Sequence, residues 1–100
     1  QGKAIFEKIV KANPNVFLVL CGHCRDISYK NVQLDDDGDG DPDRTVYAIL
    51  SNFQGSKAGG GGYMRILDFR DSDIYIYTYS PYYDSCEYPK GKTEATVPLP

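Results

Sequence analysis

Tryptophan is absent, histidine and methionine occur once each, and there are only three cysteines among the 100 residues. A single histidine rules out a nitrogen-rich metal centre built by this chain alone. Three cysteines allow at most one intrachain disulfide, Cys21 with Cys24 or either with Cys86, so no disulfide framework holds the fold. The longest apolar run, Val16 to Cys21, falls far short of the ~20 residues a membrane helix needs. No basic region followed by an apolar one marks a signal peptide at the start, although a leader already removed would leave no trace. Basic stripes are missing too, which excludes an evident nucleic-acid surface.

The net charge of −3 hides an asymmetry. Six of the fourteen acids lie in residues 35–43, and the rest of the chain carries eleven basic against eight acidic residues. The acidity is therefore one local feature. Nine tyrosines suit a β-rich chain. One hundred residues make a single module, enough for a core but small for a complete α/β enzyme with its own substrate cleft.

Ile5, Phe6, Ile9 and Val10 recur at helical spacing opposite Lys3, Glu7, Lys8 and Lys11, which predicts an amphipathic helix over residues 3–12. Asn13-Pro14-Asn15 ends it. Residues 16–20 are apolar on both faces, as a buried central strand would be. Strands are expected over 26–34 and 45–50, on either side of the acidic loop. Residues 51–62, with four consecutive glycines, read as a flexible loop without core-forming capacity. A hairpin is expected from 63–69 and 74–79 around Arg70-Asp71-Ser72-Asp73. Residues 81–100 hold four of the six prolines and read as an extended tail with an edge strand near 93–97. The fold class is α+β, one N-terminal helix followed by a mainly antiparallel sheet.

Three readings compete at Cys21-Gly22-His23-Cys24. Cys-Gly-His-Cys matches the active-site motif of protein disulfide isomerases, but that thiol–disulfide chemistry needs Cys21 at the start of a helix. Residues 25–32 carry no helical apolar face. The bland reading makes the cysteines a free, buried, small apolar pair. The remaining reading puts the weight on Gly22-His23 after an apolar strand.

That strand, Asn15-Val16-Phe17-Leu18-Val19-Leu20, followed by Gly-His, resembles the last metal motif of calcineurin-like metallophosphoesterases, Gly-His-x-His. Residues 44–54, ending Asn52-Phe53-Gln54, are similar to the family's strand closed by a Tyr/Phe-Gln pair. Gly62-Tyr63-Met64-Arg65 resembles its Gly-Tyr-Leu-Arg strand, and Thr78-Tyr79-Ser80-Pro81 its Thr-Tyr-Ser-Pro. The resemblance runs in order over about residues 2–82. It implies the C-terminal sheet half of an α/β/β/α sandwich, a pair of divalent transition metals (Mn, Fe or Zn) in the complete enzyme, a phosphate ester substrate, and the remaining N-terminal half of the domain as partner. His23 would be a metal ligand. Arg25 stands where the family has its second histidine and could instead contact a phosphate oxygen, or simply face solvent. Asp-x-His, Gly-Asp-x-x-Asp and Gly-Asn-His motifs are absent, so the isolated chain is expected to be inactive. The role of Gln54 rests on the resemblance alone.

Asp35, Asp37 and Asp39, then Gly40, Asp41 and Asp43, fit the calcium-loop pattern D-x-D-x-D-G-x-x-D, with Asp41 contributing its main-chain carbonyl. Val46 occupies the position of the EF-hand's bidentate glutamate. A solvated acidic turn is the plain alternative, though clustered carboxylates repel without a counterion. Calcium loops of this kind favour an extracellular or cell-surface setting. They also support a different class of function, a non-enzymatic calcium-binding extracellular β-module.

Overall fold

The computed structural model describes residues 2–24, 27–86 and 94–100. Helix α1 (Gly2–Ile5) widens into a π-helical stretch, Phe6–Val10, closed by the Lys11 N–H on the Phe6 carbonyl at 2.9 Å. The strands are β1 (Leu18–Cys21), β2 (Ile27–Leu34), β3 (Arg44–Ser51), β4 (Met64–Phe69), β5 (Asp73–Tyr79) and β6 (Ala95–Pro98), with a helical turn α2 (Lys57–Gly60) between β3 and β4. They form an α+β protein with two mainly antiparallel sheets, ordered β1-β3-β2 and β4-β5-β6. β1 runs parallel to β3, and every other pairing is antiparallel.

Side-chain alternation on β3 explains the layering. Val46 faces the helix and joins Val10 and Leu34, with Phe6, Val16 and Val19 around them. Ile49 faces the other way and packs with Ile74, Ile76 and Val97 of the second sheet. Val46 and Ile49 are each only 2% exposed, so β3 is buried on both faces. The order is helix, sheet, sheet. β5 alternates Ile74, Ile76 and Thr78 inward against Tyr75, Tyr77 and Tyr79 outward. Arg65 fastens the layers, donating from Nε to Ser51 Oγ on β3 at 3.2 Å and from a terminal nitrogen to Thr78 Oγ1 on β5 at 3.0 Å.

Several expectations need correction. The sheet expected to be single is two, because the turn through residues 55–62 carries the chain into a second layer. That segment is more than a flexible loop, since Gly60 and Gly61 are buried. Of the helix's apolar positions only Phe6 and Val10 are covered, while Ile5 and Ile9 are exposed. Phe6 and Val10 pack against Val16, Val19, Leu34 and Val46. β1 spans 18–21 rather than 16–20 and is an edge strand among the described residues, with Leu20 57% exposed. The double-sided burial expected there belongs to β3. In the tail, a turn over 81–84 is closed by Ser80 pairing with Ser85, and the edge strand is 95–98; Thr93 lies outside the described residues.

Candidate functional site

β1 and β3 point the same way, so their carboxyl ends present two loops side by side, Gly22-His23-Cys24 and Asn52-Phe53-Gln54. Ligands in open α/β sheets gather at such strand ends. The Cys24 N–H donates to the Gly22 carbonyl at 3.0 Å, and His23 between them has φ +74°. This is a γ-turn of the rare, strained kind with positive φ at its centre. Strain at a histidine is a pointer to function. Asn52 supports the turn, its side-chain amide donating to the His23 carbonyl at 2.9 Å while its Oδ1 accepts the Gln54 N–H at 2.9 Å. One asparagine thus fixes both loops, and the His23 imidazole is presented outward from an exposed residue.

Cys21 is the last residue of β1, and its thiol donates to the Ile49 carbonyl at 3.4 Å. Cys21, Cys24 and Cys86 are free and exposed, which differs from the buried pair of the bland reading. Arg25 lies outside the described residues. Half-buried Arg65, behind Ser51, places a cation near this end of the sheet, and burial lowers its pKa from the ordinary arginine value.

The acidic loop joins β2 to β3 at the opposite end of the sheet. The eight residues of β3 span roughly 25 Å at ~3.3 Å each, so these carboxylates cannot complete a site at His23. Carboxylate oxygens of Asp35, Asp37, Asp39 and Asp43 all lie within 4.8 Å of one another, the gathering expected of positions 1, 3, 5 and 9. The Asp41 carboxylate is not part of that group.

The loop is held by its own side chains. Asp35 accepts the N–H of Gly38 at 2.8 Å and of Gly40 at 2.7 Å, and Asp43 accepts those of Asp36 at 2.7 Å and Asp37 at 3.1 Å. Asp35 is pulled below the usual aspartate pKa, chiefly by the Gly40 N–H and further by its contacts with Asp37, Gly38 and Asp39. For Asp37 the Asp39 N–H pulls downward most strongly. Its contacts with Asp35, Asp43 and Asp39, together with loss of water, outweigh that pull and leave its pKa raised. As pH rises, Asp35 therefore gives up its proton before Asp37.

Asp36 turns away from that group to Arg44. The Arg44 side chain, 11% exposed, pairs with both Asp36 oxygens at 2.7 and 3.1 Å. It also donates to the carbonyls of Val10, Lys11, Asn13 and Val16 at 2.6–3.3 Å. One guanidinium therefore caps the helix end and anchors the acidic loop.

Sequence reasoning singled out His23 and the aspartates but missed Asn52, Arg65 and Arg44. Asn52 had a signal, since asparagine just after a strand commonly turns the chain through its own side chain. Arg65 had one too. It shares the inward face of β4 with Leu67, and an inward charge in a strand calls for a partner.

The comparisons with known proteins add one long relative. "Uncharacterized protein YvnB" of Bacillus subtilis (strain 168) is 49% identical over 83 residues, 81% of this chain. The match covers 6% of that protein's length. No family model matches the chain, and no solved structure does.

Proposed function

We propose that this chain is the C-terminal part of a calcineurin-like metal-dependent phosphoesterase, contributing His23 to a metal site completed by other residues of a longer polypeptide. The observation that carries it is the presentation of His23, in a strained turn at the carboxyl ends of two parallel strands and braced by Asn52. The uncovered apolar surface points the same way. Leu20 on edge strand β1 and Ile5 and Ile9 on the helix are exposed, as expected where further strands beside β1 and further helices beside α1 belong to the rest of the domain. The relative's much greater length leaves ample chain for them.

These residues do not by themselves fit a Mn, Fe or Zn pair. Among the described residues the acidic loop is the one place where three or more histidine, cysteine or carboxylate groups converge, and it lies at the wrong end of the sheet. No catalytic step is therefore assigned within this chain. In the complete protein such a pair would orient phosphate and activate water, with His23 holding one ion.

The four converging carboxylates suit a hard cation, and calcium is the ion we assign to them. That loop also supports the second reading, a non-enzymatic calcium-binding β-module outside the cell. The thiol–disulfide reading has less to stand on, since Cys21 ends a strand where that chemistry needs the start of a helix. An assay separates the first two readings. A longer polypeptide containing these residues should hydrolyse bis-p-nitrophenyl phosphate with manganese, iron or zinc, while the 100 residues alone remain inert. If no transition metal supports turnover, the module reading replaces the enzyme.

A further inference from the structure

Beside the His23 turn lies a cleft of about 380 Å³, lined by residues 51–54, Gly59, Gly60, Gly62 and Tyr63. Its size falls in the range of small-molecule sites. Phe53 and Tyr63 form its aromatic wall, their ring centroids 5.8 Å apart, and Tyr83 backs Tyr63 at 5.8 Å. The wall is tightly set. A Cβ at Gly61 would come within 2.7–2.9 Å of the Tyr63 and Tyr83 rings, and Gly61 itself has φ +62°. Ser51, Asn52 and Gln54 complete the lining with hydroxyl and amide groups. None of the described lining residues is charged.

We infer that this cleft binds a flat, uncharged ring with hydrogen-bonding groups on its edge, the chemistry of a nucleobase. Aromatic walls stack on any such ring, and the side-chain amide of Gln54 can both donate to and accept from its edge, while that of Asn52 is held by His23 and the Gln54 main chain. Among the described lining residues no charged group faces a second anion. Asn52 belongs to both the cleft and the His23 brace, so a ring in the cleft would be the alcohol side of an ester whose phosphate lies at His23. In that respect the inference rests on the phosphoesterase reading. Ring binding itself needs neither metal nor phosphate, which makes the two separable.

The test is a titration of the protein with adenosine, followed by amide ¹H–¹⁵N spectra, with ribose and inorganic phosphate as parallel probes. Saturable shifts at residues 51–54 and 59–63 with adenosine, and none there with ribose, are expected. Phe53→Leu, which keeps apolar bulk but removes the ring, should weaken adenosine about tenfold, the order of one base–aromatic stack. Gly61→Ala, which displaces the Tyr63 wall, should weaken it as well. No saturable adenosine shift, equal shifts with ribose, or undiminished binding by a folded Phe53→Leu protein would overturn the assignment. Adenosine binding without esterase activity in the longer polypeptide would keep the cleft and remove the phosphoesterase reading. Activity there without adenosine binding would do the reverse.

Discussion

Replacing Arg44 should cost more than its place at the end of a loop suggests. Its guanidinium serves four main-chain carbonyls and both oxygens of Asp36. Two of those carbonyls, Val10 and Val16, are part-buried, so water replaces the lost donors poorly, while the Lys11 and Asn13 carbonyls can turn to solvent. About 1 kcal/mol for each part-buried acceptor left unpaired, with up to about 1 kcal/mol for the partly screened Asp36 pair, gives about 3 kcal/mol for Arg44→Ala. That corresponds to a melting point lower by roughly 15 °C in a domain of this size. Arg44→Lys keeps the charge but not the fork and should lose about half as much. Urea unfolding at neutral pH, with the slope checked for constancy, measures both. A loss below about 1 kcal/mol for Arg44→Ala would show that the helix end and the loop are held by something else.

The other predictions concern the core, the acidic loop and the glycine turn. Ile76, with no exposed surface at the centre of the inter-sheet core, should cost about 2–5 kcal/mol as Ile76→Ala, read as a lower urea midpoint with unchanged slope. Calorimetry should find one calcium site that Asp37→Asn abolishes and Asp36→Asn leaves nearly intact, because Asp36 is committed to Arg44. A ligand bound only by the folded state should also raise the melting temperature. The raised pKa of Asp37 means that protons begin to compete while pH is still above the ordinary aspartate value of about 4, so calcium affinity should already be falling there. Asp35 acts with the opposite sign. Its depressed pKa lends stability that is present above the unfolded value and is lost as pH falls through the lower folded one, which acid unfolding of Asp35→Asn against wild type will show. Gly61→Ala should destabilise the turn through positive φ and ring displacement together, read as a lower melting temperature.

The elements with strong local patterns were the legible ones. The β4–β5 hairpin and the strands around the acidic loop follow alternation and turn residues that act over a few positions, and of the five aspartates in the calcium pattern the loop gathers the carboxylates of Asp35, Asp37, Asp39 and Asp43. Burial was harder to read, because it depends on what lies across from a strand. Residues 16–20 look buried on both faces, yet β1 sits at an edge and β3, whose sequence is more mixed, is the one enclosed by two layers. The helix shows the same limit. Ile5 and Ile9 belong to its apolar stripe, but the described residues offer them no surface to cover. The brace on His23 also escaped, since it joins residues 29 positions apart, and no local period reports such a pairing.

The most direct test is the effect of His23→Ala on metal-dependent hydrolysis of bis-p-nitrophenyl phosphate by a longer polypeptide that includes this chain. Loss of a ligand to one ion of a catalytic pair should lower turnover by orders of magnitude, with partial recovery at high metal concentration. Turnover unchanged by His23→Ala, or equal turnover by the 100 residues alone, would contradict the account.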